Sequence, residues 1–175
     1  MRLLTVIVII FTLLLALGSS DSENSKPTKV ESSDEKTEVK SEQQETFKVG
    51  ETVKMGDLEF TVNGIRTDEG GDFNKPEEGN TFLIIDATIK NTGQDSSALS
   101  SLMMFKLYDL DFYEKDMAIF ADIKGNLDGE LGAGRTMRGE VAFEVGKNET
   151  EWEFIFEPNV FGFGQVIYEL KAEDM

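Results

Sequence analysis

Cysteine and histidine are both absent from the 175 residues, and basic side chains are scarce, 17 against 34 acidic ones for a formal net charge of −17. Each absence removes a class of chemistry. Without thiols no disulfide can form, so core packing alone must hold the fold. A zinc finger, a thiol protease, a Ser-His-Asp hydrolase and a histidine-ligated metal enzyme are excluded with the missing side chains. The shortage of clustered Lys and Arg excludes ordinary nucleic-acid binding, which needs cations to meet the phosphates. Also lacking is any capped apolar stretch of helical period and useful length; Asp116 to Ile123 would make a turn or two of helix at most.

One long hydrophobic run is present, from Leu3 to Leu17, broken only by Thr5 and Thr12. Arg2 precedes it, and Ala16, Gly18, Ser19 and Ser20 close it with small side chains. A basic start, a short apolar core and a small-residue exit describe a secretory signal peptide over residues 1–20. As a helix the run spans about 22 Å, short of the roughly 30 Å hydrocarbon core, so an uncleaved anchor through residues 3–17 is the secondary expectation. Either form implies N-terminal membrane association, transient or lasting. Ser19 or Ser20 stands where a bacterial lipoprotein carries its lipidated cysteine, so no thiol-linked lipid is expected.

Residues 21–45 hold two apolar side chains, Val30 and Val39, and no aromatic. Such a tract cannot bury enough surface to offset its ordering entropy and is expected to be a disordered acidic stalk. Ser33 to Lys36 fits the S-x-x-K pattern of some acylating enzymes, but a solvated tract gives the serine no activating environment.

From Phe47 onward the texture changes to short alternating runs. Leu58, Phe60 and Val62 alternate with polar neighbours; so do Leu83, Ile85, Ala87 and Ile89. Met103, Phe105 and Leu107 form one face of the next run. Val141, Phe143 and Val145, then Trp152, Phe154 and Phe156, then Val166, Tyr168 and Leu170 complete the set. Period two gives each strand one buried and one wetter face. About seven or eight strands separated by turn residues read as an all-β, immunoglobulin-like antiparallel sandwich over residues 46–175. Asn63-Gly64 reads as a bulge in one long strand rather than a hairpin turn, because Ile65 to Thr67 alone makes a poor strand.

The stretches Phe47–Val53, Phe60–Ile65, Gly79–Asn91 and Gly139–Val145 resemble an extracytoplasmic family of bacteria and archaea. It is a domain of unknown function with an immunoglobulin-like sandwich, similar to a secreted mycobacterial immunoprotective antigen. The resemblance covers most of Phe47 to Leu170 and implies the fold and an exported setting. Its motifs are structural, and it implies no catalytic residue.

No catalytic, cofactor or metal residue is assigned from the sequence. The acidic connection does raise one cation site: Asp109, Asp111, Glu114 and Asp116, with Asp122, Asn126 and Asp128 beyond, offer the hard oxygens calcium prefers. Their spacing does not fit an EF-hand loop, and in so acidic a chain a solvated loop is the expected reading. No pair of carboxylates is singled out for acid–base work. Phe112, Tyr113 and Phe120 in that connection, with Phe161 and Phe163 later, are expected to cap the open ends of the sandwich; exposed together, they would mark a partner surface. Asn148 to Thr150 is a formal glycosylation sequon. The function expected is therefore an exported, non-enzymatic binding or structural module at the cell envelope, its partner a protein or envelope component. A calcium-stabilised adhesion-like sandwich and a small carboxylate hydrolase are the alternatives. The net charge makes a basic protein the easier partner.

Overall fold

A computed structural model of the protein describes residues 45–158 and 164–175. The expected leader and almost all of the stalk lie outside them, as do Phe161 and Phe163. Among the described residues no helix is long and apolar enough to cross a membrane.

The strands are β1 (Thr46–Lys48), β2 (Thr52–Met55), β3 (Leu58–Asp68), β4 (Asn80–Asn91), β5 (Ser97–Leu99), β6 (Phe105–Tyr108), β7 (Gly129–Leu131), β8 (Thr136–Gly146), β9 (Glu151–Phe156) and β10 (Val166–Lys171). One sheet has the order β1-β10-β9-β6 and the other β2-β3-β4-β8, with β5 and β7 forming a small separate pair. The expected β-sandwich is thus the fold. It holds more strands than anticipated because β1, β5 and β7 are only three residues long, too short to show a period. One pairing also departs from the antiparallel expectation: β1 runs parallel to β10, Thr46 opposite Ile167.

Alternation explains which side chains meet between the sheets. Phe60 from β3 stacks on Phe156 from β9 with ring centroids 4.3 Å apart, and Phe105, Phe154 and Tyr168 close around it. Each such ring, taken fully out of water, contributes roughly 2–3 kcal/mol. The Tyr168 hydroxyl crosses from one sheet to the other. It donates to the Glu51 carbonyl at 2.6 Å, with the Phe60 carbonyl 3.0 Å away. Burial pushes its pKa up to about 12.

The Asn63-Gly64 bulge is present as expected. Pairing with β4 shifts between Val62, opposite Ala87, and Gly64, opposite Asp86. The extra residue is what lets Leu58, Phe60 and Val62 share the core with Ile65, an odd number of positions further on.

One expectation fails. Met103 does not continue the face of Phe105 and Leu107: residues Ser101–Met104 form a helical turn, α1, which puts Met104 in the core and leaves Met103 half exposed. Asp116 to Ile123, where a turn or two of helix was the most expected, forms none; its backbone runs beside β8.

Candidate binding face

The connection between β6 and β7, residues 109–128, carries most of the large apolar side chains that remain exposed. It begins with a tight turn organised by Asp109. One carboxylate oxygen accepts the N–H groups of Asp111 at 3.0 Å and Tyr113 at 2.9 Å. The other receives Lys115 Nζ at 2.7 Å, and Lys115 also reaches Glu149 at 2.8 Å. The Lys115 ammonium, then the Tyr113 N–H, hold the Asp109 carboxyl below the usual range. Burial opposes the charge on Lys115, yet its bonds to Asp109 and Glu149 raise its pKa. Within this turn Phe112 adopts φ +63°, a left-handed conformation that costs a non-glycine residue about 1–2 kcal/mol. The result is to turn Leu110, Phe112 and Tyr113 outward; Phe112 is 71% exposed.

The chain then lies along the free edge of β8 like a strap. Glu144 N donates to the Asp116 carbonyl, Ala118 N to the Ala142 carbonyl, and Glu140 N to the Lys124 carbonyl, all at 2.8–2.9 Å. At the far end Gly125 bridges Gly139 so closely that a Cβ on Gly139 would stand 2.6 Å from the Asn126 nitrogen. Glu140, largely buried, accepts Arg66 at 2.9 Å and the Lys124 N–H at 2.8 Å. Ala118 and Ala121 face inward and cover Phe82, Ile84 and Ala142 on the outer side of the sheet. Ile119 and Phe120 therefore face water, the latter at 80% exposure.

Two clefts adjoin the strap. One, of about 320 Å³, has Met117, Leu127, Val141 and Ala142 in its wall with Ile119 and Ile123 beside them. The other, of about 530 Å³, lies between the strap and the β3–β4 connection and is lined by Asp68, Gly70, Gly71, Asn74, Phe120, Ala121 and Asp122. Asn74 clips the two connections together, its Nδ2 donating to the Phe120 carbonyl at 3.0 Å while its Oδ1 accepts the Gly71 N–H at 2.7 Å. Gly70, at φ +71°, passes so near the Asn74 carbonyl that no side chain fits there. Phe73, next to the clip, is fully exposed.

The acids raised as calcium ligands do not converge. Asp109 is taken by Lys115, Glu114 accepts the Tyr108 hydroxyl, and Asp128 accepts both the N–H and the hydroxyl of Ser101. Asn126 accepts the Asp128 N–H. Among the described residues no three acidic side chains gather where they could hold a metal ion. Phe112, Tyr113 and Phe120 do not cap the sandwich, against expectation; they project from it, because the Asp109 turn and the alanine-faced strap direct their side chains outward. Asn148 is exposed in the β8–β9 turn. Phe73, Leu110 and Ile119 were not singled out in the sequence. The available signal was a set of large apolar residues in loops that no strand period claims.

The family model DUF4352, described as a domain of unknown function, matches residues 47–166. A search of curated proteins finds no match. Among solved structures, the chain is similar to ycdA of Bacillus subtilis, described as a lipoprotein, at TM-score 0.60 and 19% identity over 70% of this chain and 39% of that one. It thus spans well under half of that protein. It is also similar to yjhA of the same organism, at TM-score 0.55 and 21% identity over 71% of this chain and 98% of that one. The secreted protein MPT63 of Mycobacterium tuberculosis aligns at TM-score 0.50 and 16% identity, covering 75% and 99% of the two chains. At these identities the likeness speaks to the β-sandwich fold.

Proposed function

The chain belongs to the DUF4352 family of domains of unknown function, and from that premise we propose that it is an exported, non-enzymatic binding module of the cell envelope. Its ligand is a protein or envelope component, met by the face built from the β6–β7 connection. Export is supported by Arg2, the Leu3–Leu17 run and its small-residue exit, together with the secreted and lipoprotein descriptions of two structural neighbours.

The observation that carries the binding role is the concentration of exposed Leu110, Phe112, Tyr113, Ile119 and Phe120 in one connection whose backbone is held firmly. Scattered surface apolar residues are ordinary; a group of aromatic ones on an ordered support is the usual mark of an interaction site. Such a support also lowers the ordering cost of binding. The buried carboxylate near the first cleft, Glu140, is neutralised by Arg66 and a backbone N–H, which suits a structural role better than acid–base work.

The test is capture from envelope extracts of the native host by the immobilised full chain, beside a Phe112→Ser/Phe120→Ser variant. A protein or polymer retained by the wild type and lost by the variant is the expected result. Identical retention by both chains would overturn the assignment of this face.

A further inference from the structure

We propose that the cleft between the β3–β4 connection and the strap takes a cationic amphipathic polypeptide segment, Lys or Arg side chains interleaved with apolar ones. This rests on the reading of the same face as the binding surface and adds the chemistry of its occupant. At about 530 Å³ the cleft falls within the ~300–1,000 Å³ of typical ligand sites. Phe120 lines it while largely exposed, and Phe73, fully exposed, directly precedes the cleft residue Asn74 in the chain, so an occupant that reaches past the clip covers two phenyl rings. Asp68 and Asp122 line its wall; Asp68 already meets Arg66 at 3.4 Å and accepts the Gly70 N–H at 2.7 Å, so Asp122 is the wall carboxylate that faces an occupant. Around it the connections 69–79 and 109–128 carry ten acidic side chains against three lysines. One of those lysines, Lys115, is already held between Asp109 and Glu149.

Apolar area and negative charge together select the partner. A purely apolar segment would leave Asp122 and the surrounding negative charge unmatched, and an anionic one would be repelled. An anionic lipid surface is disfavoured by the same field. A cation placed over an exposed phenyl face answers both features at once, through the ring quadrupole and the nearby carboxylates. The Asn74 clip fixes the spacing of the two phenylalanine-bearing connections, so the cleft is preformed.

The experiment titrates the full chain with a short fluorescent peptide of alternating Lys and Leu. A Glu–Leu peptide and a Lys–Ser peptide serve as competing probes. Expected is saturable binding of the Lys–Leu peptide that weakens about tenfold between ~50 and ~300 mM salt. Phe73→Ser/Phe120→Ser should weaken it roughly tenfold at low salt, and Asp122→Lys should flatten the salt dependence, both with unchanged melting temperature. Equal affinity for the Glu–Leu or Lys–Ser peptide, or indifference to the two variants, would overturn the proposal. Should envelope capture still depend on Phe120 in that event, the binding face stands and only the cationic occupant falls.

Discussion

The inner face of the sandwich and the β6–β7 connection are built from the same kinds of residue and treat them oppositely. Phe60, Phe105, Phe154 and Phe156 are sealed between the sheets, while Phe112 and Phe120 stand in water. The difference lies in the backbone beneath them. Strand alternation sends every second side chain into a shared interior. In the connection, the Asp109 turn with Phe112 at φ +63° and a strap that turns its alanines inward send the large side chains out. Aromatic content therefore says little about burial until the support is known.

The largest break in this comparison should come from the core. Phe60→Ala removes a ring packed against both sheets and is expected to cost about 3–5 kcal/mol in urea unfolding. Next is Gly139→Ala, where a Cβ would press on the Asn126 nitrogen; a loss of about 1–3 kcal/mol, with faster amide exchange at Ala118 and Glu140, would show the strap lifting from β8. Tyr168→Phe should cost about 1–2 kcal/mol by removing the part-buried hydrogen bond from its hydroxyl to the Glu51 carbonyl. The pH dependence of that residue has a definite sign. Its folded pKa, about 12, lies above the ordinary 10.0, so its contribution is complete below pH 10 and is lost as pH rises toward 12. An alkaline melting series on wild type and Tyr168→Phe checks it, the variant losing less over that window.

A smaller effect belongs to the turn itself. The Asp109 carboxyl is held below its usual range, so what it contributes is present above the ordinary carboxylate pKa of 3.8 and fades as pH falls below that value. Asp109→Asn should leave the global melt nearly unchanged and accelerate exchange of the Asp111 and Tyr113 amides, as measured by NMR.

The strands and the bulge at Asn63-Gly64 were legible in the sequence because period two is a local signal and the residues that create it are neighbours. Burial of Ile84 was not: its cover, Ala118 and Ala121, arrives more than thirty positions later along the chain. Met103 fits the period of Phe105 and Leu107, yet α1 interrupts the strand and hands the core position to Met104. The acidic series from Asp109 to Asp128 looked like one cluster because it is contiguous in sequence, but turn and strap spread it out and give Asp109, Glu114 and Asp128 separate partners. The Asn74 clip and the cleft it shapes join residues 46 positions apart, and no spacing announces that.

The partition of the aromatics is tested most directly by urea unfolding of the full chain carrying Phe73→Ser, Phe112→Ser and Phe120→Ser together. The expected result is a midpoint and slope equal to wild type, within about 0.5 kcal/mol. A loss of about 2 kcal/mol or more would place these rings in a packed interior and contradict the account.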